Sequence, residues 1–251
     1  MLEIKSLSAG YGKRTVLHST TACFEKGKLL SVIGPNGSGK STLLRSVAGI
    51  LPPISGEILL DGKSLYDIKK HELAKKLSFL CQGKAVPDMT TEQLVLHGRF
   101  PHLGYPRRYT KKDREIAFSV MEQLKISDVA DHKLSTLSGG MIQTAYIAMA
   151  LCQSTDYILL DEPTTYLDVA HQTELMKILR QLADNGKGIV SVMHDLPLAF
   201  TFSDRIFVLD KGIVIADGTP EEICKSQIIP DVFGISLRRS DVGDYFCVLR
   251  K

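Results

Sequence analysis

The sequence predicts an α/β fold: a mainly parallel sheet with an N-terminal antiparallel β subdomain and an inserted α-helical subdomain. Three observations carry that expectation. The first thirty residues alternate as strands do, short apolar runs recur later in the chain, and the stretch from about Thr91 to Leu151 changes to helical character. A single unit over residues 1–251 is expected, with its core at about 1–85 and 152–251 and the insertion at about 86–151.

Turn signals at Gly10-Tyr11-Gly12 and Glu25-Lys26-Gly27-Lys28 punctuate the first strands. Leu29-Leu30-Ser31-Val32-Ile33 is nearly all apolar and ends at a glycine, the pattern of a buried strand. After a Gly-rich loop, Leu43, Leu44, Val47 and Ala48 recur at helical spacing. Glu57–Leu60 and Leu77–Leu80 read as further strands. In 111–125 the apolar Ile116, Val120 and Leu124 lie four apart and mark one buried helix face.

Strand patterns return at Tyr157–Leu160, Ile189–Val192 and Arg205–Leu209. Between the first two of these, Leu175, Ile178, Leu179 and Leu182 define a helix that Asn185-Gly186 should stop. Thr219-Pro220-Glu221-Glu222 is a capping box with proline at the first helical position. Tyr245–Leu249 reads as a last strand, while residues 222–251, Arg238 and Arg239 among them, carry no assignable motif.

A length of 251 residues with 44% hydrophobic content is ample for a sizeable core. The net charge of +3 is too mild to imply a nucleic-acid partner. No run approaches the roughly 18 apolar residues of a membrane span, and the N-terminus lacks a signal-peptide core. Five scattered cysteines form no C-x-x-C pair, which fits reduced thiols in a cytoplasmic protein.

Gly34-Pro35-Asn36-Gly37-Ser38-Gly39-Lys40-Ser41 matches the phosphate-binding pattern G-x-x-x-x-G-K-[ST], between a predicted strand and a predicted helix. Its glycines let backbone N–H groups turn inward around phosphate oxygens, and the following helix points its positive end at the same anion. Lys40 should reach the β- and γ-phosphates of ATP, Ser41 should ligate Mg²⁺, and Thr42 adds a donor on the α-phosphate side. Asp161 and Glu162 end an apolar strand, so an open parallel sheet places them beside that loop. Asp161 is expected to hold Mg²⁺, and Glu162 to orient and deprotonate the attacking water. The expected core is therefore a P-loop NTPase of RecA-like type.

Leu137-Ser138-Gly139-Gly140, before a helix expected at Met141–Leu151, offers a second anion site on the insertion. With it, the chain resembles the ATP-binding cassette (ABC) ATPase family over essentially its whole length. That resemblance implies an ATP-hydrolysing transporter subunit working as a head-to-tail homodimer, with Ser138, Gly139 and Gly140 capping in trans the nucleotide held by the other subunit's loop. It further implies that Tyr11 stacks on adenine, that Gln82 links Mg²⁺ to the insertion, that Asp168 touches the dimer partner, and that His194 senses the γ-phosphate. Taken singly, these four residues read as a turn aromatic, a solvated loop, a helix N-cap and a hydrogen-bonded core histidine. The pattern departs at Met141, where the family usually has glutamine, and at Thr144 and Met149, where arginines are usual; Gln143 does fit.

The stretches His97–Gly104 and Glu162–Asp168 resemble ATPases of importers for iron–siderophore complexes, haem and cobalamin. The implied partners are integral-membrane permease subunits, with a substrate-binding protein engaged indirectly, and the implied place is the inner face of the cell membrane, held through the permease. A metal site at His97 and His102 lacks a third ligand at a telling spacing. The alternative reading is a soluble ABC ATPase serving a non-membrane partner such as an iron–sulfur assembly scaffold. A P-loop kinase would leave Leu137–Gly140 unexplained.

Overall fold

The computed structural model describes residues 1–83 and 86–249; residues 84, 85, 250 and 251, which the expected core ranges include, lie outside them. Twelve strands in three sheets and nine α-helices are defined among the described residues. An antiparallel sheet takes β1 (Leu2–Tyr11), β2 (Arg14–Phe24), β4 (Ser55–Leu60) and β5 (Lys63–Ser64) in the order β2-β1-β4-β5. The first hairpin turns one step later than the glycines suggested. β1 runs through Tyr11, which pairs with Arg14, and Gly12 takes the turn at φ +59°.

The six-stranded sheet has the order β10-β9-β3-β8-β7-β6, from β3 (Leu29–Ile33), β6 (Leu77–Leu80), β7 (Tyr157–Asp161), β8 (Gly188–Val192), β9 (Arg205–Asp210) and β10 (Ile213–Gly218). Its strands are parallel except for the β9–β10 pair. Every residue of β3, β7 and β8 is buried, as a sheet covered on both faces requires.

The two-residue strand period divides these side chains between two cores. Leu30, Val32, Leu159, Val190 and Val192 face one core, together with the antiparallel sheet and α1 (Lys40–Val47). Leu29, Ile33, Ile158, Leu160 and Ile189 face the other, against α6 (Val169–Asp184) and α7 (Leu196–Phe202). Full burial of one such aliphatic side chain contributes about 1.5–3 kcal/mol, so a register slip in a central strand would forfeit several at once.

The helix α2 (Lys70–Lys76) leads into β6. α3 (Thr91–His97), α4 (Lys111–Gln123) and α5 (Gly139–Cys152) gather a third core around Leu94, Val95, Ala117, Met121, Ala145 and Ala148. α3 and α4 each open with a capping box, at Thr90/Gln93 and Thr110/Asp113. α5 spans the boundary, because Ile147, Ala150 and Leu151 belong to the sheet core while Ala145 and Ala148 belong to the helical one. It also starts earlier than expected. Gly139 and Gly140 lie inside its first turn, and Ser138 caps it by accepting from the Met141 N–H at 3.3 Å.

Beyond the sheet, α8 (Pro220–Lys225), capped by Thr219 as the sequence indicates, and α9 (Ile228–Phe233) lead to the hairpin of β11 (Ile235–Arg239) and β12 (Tyr245–Leu249). Tyr245 stacks near Phe200 of α7, with ring centroids 5.5 Å apart. Among the described residues, no helix is long and apolar enough to cross a membrane.

Candidate active site

Strands β3, β6, β7 and β8 run the same way, so the residues that follow them meet at one edge of the sheet. The Gly-rich loop follows β3, Gln82 follows β6, Asp161 and Glu162 close β7, and His194 follows β8. Topology alone thus brings together side chains spread over more than 150 residues of sequence.

The loop between β3 and α1 fits its backbone tightly to its surroundings. A Cβ on Gly34 would collide with the Leu209 carbonyl oxygen, so only glycine fits there. Gly37 and Gly39 lie at φ +78° and +107°, and Gly39 stands at the N-cap of α1 without a side-chain cap. The first N–H groups of α1 are therefore not capped by that residue. Lys40 is 6% exposed and donates to the carbonyls of Gly34 at 2.8 Å and Pro35 at 3.0 Å. Burial pulls its pKa down while Glu162 and Asp161 pull it up, and burial prevails.

Asp161 is 1% exposed and accepts from the Ser41 hydroxyl at 3.1 Å through Oδ1. Its Oδ2 is buried with no partner. Burial raises the pKa of this carboxyl; the Ser41 donor opposes the rise and the nearby Glu162 charge adds to it. A serine hydroxyl beside an orphaned, buried carboxylate oxygen is the hard-oxygen donor set that suits Mg²⁺.

The Glu162 carboxylate is held from both sides. Gln82 Nε2 donates to Oε2 and His194 Nε2 meets Oε1, each at 2.5 Å, while Thr165 Oγ1 donates to Oε2 at 3.4 Å. Glu162 sits at φ +54°, left-handed backbone that a side-chain-bearing residue rarely adopts, and its carboxylate faces an open cleft of about 750 Å³. Tyr11, Asn36, Lys40, Ser41, Thr42 and His194 line the same cleft. Tyr11 stands at its rim, 46% exposed, and accepts from Arg45 Nη1 at 3.4 Å.

Ser138, Gly139 and Gly140 line a different cleft of about 730 Å³, with Asp168, Tyr166 and Met141. Gly140 packs under the Tyr166 carbonyl, where an added Cβ would come within 3.0 Å. Asp168 caps α6, accepting from the His171 N–H at 2.9 Å and facing its Nδ1 at 2.8 Å; these bonds hold its carboxyl below the usual range. His97 and His102 both spend a ring nitrogen on backbone carbonyls, those of Gln93 and Gln153.

Two contributors escaped sequence reasoning. Arg14 and Val16 line the larger cleft because β2 pairs back on Tyr11, and only the hairpin register reveals that. Gln143, on α5, donates to the Pro163 carbonyl at 3.0 Å and ties that helix to the chain just after Glu162. Its place in the sequence, on the helix that follows Ser138-Gly139-Gly140, fits the family pattern.

A parallel sheet with a glycine-lined phosphate cradle, an acidic pair and a held carboxylate at its mouth defines the P-loop nucleoside-triphosphate hydrolases. Residues 17–165 match the family model described as ABC transporter. The chain is 38% identical to the ferric enterobactin transport ATP-binding protein of Escherichia coli (strain K12), covering 92% of this chain and 86% of that one. It is 39% identical to the iron(3+)-hydroxamate import ATP-binding protein of Bacillus subtilis (strain 168), covering 93% and 88%. Among solved structures, a dimeric post-hydrolysis cassette bound to ADP and phosphate superposes with a TM-score of 0.77 at 29% identity, covering 88% of this chain and 99% of that one. An inward-facing transporter described as of metal-chelate type gives 0.83 at 25% identity, covering 100% and 97%. The chain belongs to the ABC transporter family. It is an ATP-binding, ATP-hydrolysing subunit, an ATPase.

Proposed function

We propose that this subunit energises import of a metal chelate of the iron–siderophore, haem or cobalamin type, as one half of an ATP-sandwich homodimer beneath a membrane permease. The transport systems named for its relatives, ferric enterobactin and iron(3+)-hydroxamate among them, support that cargo class. The chain acts as one nucleotide-binding domain, its core at about 1–85 and 152–251 and its helical insertion at about 86–151. It works at the cytoplasmic face of the membrane, held by integral-membrane subunits, and a substrate-binding protein engages it only through them.

Glu162 is the residue that orients and deprotonates the attacking water, and His194 and Gln82 position its carboxylate. The observation that carries this assignment is the two-sided grip on Glu162 at the mouth of the P-loop cleft. Gly34, Pro35, Asn36, Gly37, Ser38 and Gly39 cradle the phosphates with backbone donors, and Thr42 adds another. Lys40 exchanges its two carbonyl partners for phosphate oxygens when ATP enters. Tyr11 stacks on the adenine from the rim. Ser41, Asp161 and the amide oxygen of Gln82 would hold Mg²⁺, and the bound ion neutralises charge on the β- and γ-phosphates. Ser138, Gly139 and Gly140, with Asp168 beside them, cap the partner's nucleotide. Their placement in a separate cleft supports action in trans.

The Glu162→Gln variant should bind ATP as before and lose about 10²–10⁴ in hydrolysis rate. An ATP-bound dimer should accumulate, as light scattering would read. A monomeric variant that hydrolyses ATP at the full rate would overturn the assignment.

A further inference from the structure

Residues 99–114 are the most basic stretch of the chain and have no role in the site described above. They carry six cations against one carboxylate, +5, which leaves the other residues of a +3 chain at −2. The carboxylate and one cation are spent internally: Asp113 and Arg99 pair at 3.0 Å, both buried. Arg114 pairs with Glu92.

The rest face outward. Arg107, Arg108 and Lys112 are exposed and make no ion pair among the described residues, and Lys111, 92% exposed, has a long contact of 3.7 Å to Glu115. Lys111 and Lys112 also occupy the first turn of the 13-residue α4, the end of a helix that favours anions over cations. Asp113 in the same turn and Glu115 beside Lys111 offset part of that unfavourable placement, and an external anion would relieve the rest. Apolar surface stands within the patch: Tyr105 is fully exposed, and Phe100, 44% exposed, carries the Arg107 guanidinium over its ring at 4.2 Å. A cluster of exposed cations, three of them without an ion pair among the described residues, beside an exposed tyrosine and phenylalanine is a composition suited to the headgroup level of an anionic bilayer.

We propose that Phe100, Tyr105, Arg107, Arg108, Lys111 and Lys112 form a contact surface for anionic phospholipid headgroups, which aligns the helical insertion against the membrane beside the permease. This rests on the reading of the chain as a permease-bound subunit. Permease-free vesicles test it separately, because their result does not bear on ATP hydrolysis or on assembly with membrane subunits.

The full chain is to be sedimented with vesicles of phosphatidylglycerol and phosphatidylcholine in equal parts, and with vesicles of phosphatidylcholine alone. Binding to the anionic vesicles only, lost towards about 0.5 M salt, is expected. The double change Arg107→Glu with Arg108→Glu should weaken it about tenfold or more, and Lys111→Glu with Lys112→Glu likewise, with solution ATPase activity unchanged. Tyr105→Ser should weaken it further at fixed charge. Failure of the parent to bind, equal binding to neutral vesicles, or undiminished binding by both charge-reversed variants would overturn the proposal. So would variants that bind vesicles normally but fail to assemble with permease in detergent, since the patch would then serve an acidic protein segment.

Discussion

Asp161 shows how a single residue can be unfavourable to the resting fold and yet suit the task proposed for it. Its carboxyl is buried, one oxygen has no partner, and its folded-state pKa lies above the ordinary value of 3.8. A raised carboxyl pKa stabilises the fold fully below the unfolded pKa, and that contribution is lost as pH rises through the folded value. Asp161→Asn keeps the shape and removes the charge, so without nucleotide or Mg²⁺ the variant should be more stable than the parent at neutral pH, by about 1 kcal/mol. The margin should shrink towards pH 4 and below. Thermal melts across pH read the difference, while Mg²⁺-dependent ATP turnover should collapse. A variant less stable than the parent at pH 7 would mean that the carboxylate contributes to the resting fold. At this scale the sequence was informative about identity and silent about partnership. Lys40 is legible from the glycine-rich pattern around it, and Asp161 and Glu162 because they close an apolar strand. The grip of His194 and Gln82 on Glu162 depends on loops after three different strands, and no local pattern encodes it.

At the scale of elements, the helical insertion is closed by a polar lock that periodicity conceals. Arg99 donates to Asp113 of α4 at 3.0 Å and to the Cys152 carbonyl at the end of α5 at 3.0 Å, with both side chains of the ion pair only 9% exposed. Arginine and aspartate read as solvent-facing in any hydrophobic pattern, and these two lie 14 residues apart, so the lock becomes visible only once α4 is folded against the segment before it. Burial works against the Asp113 charge, yet donors from Thr110 and Arg99 hold its carboxyl below the usual range. A depressed carboxyl contributes stability above its unfolded pKa and loses it as pH falls through the folded value. Arg99→Met would leave that charge buried and unpaired and should cost about 3–5 kcal/mol in urea denaturation. Adding Asp113→Asn to the same chain should recover part of the loss, and equal instability of single and double variants would refute the lock. The start of α5 was misplaced for a more local reason. Two glycines signal a turn, whereas the local cap from Ser138 to the Met141 N–H, three residues on, draws both into the first helical turn.

For the whole molecule, the decisive feature is that the two surfaces proposed to meet nucleotide phosphates do not share a cleft. Lys40, Ser41 and Glu162 line one, and Ser138, Gly139 and Gly140 line the other. A symmetric dimer that faces the first surface of each subunit to the second of its partner would close two equivalent sites, each built from both chains. This arrangement makes a prediction that no single-chain mechanism shares. Lys40→Ala should inactivate a homodimer by weakening phosphate binding in both sites, and Ser138→Arg should inactivate another by obstructing both caps. In a mixed dimer of the two variants, both lesions fall in one site, and the other site joins an intact P-loop to an intact cap. Random pairing makes half the dimers mixed with one sound site each, so mixing equal amounts should restore about a quarter of the parental site density, read as trapped nucleotide and as ATP turnover. If each chain completed its own site, mixing two inactive proteins would restore nothing at any ratio.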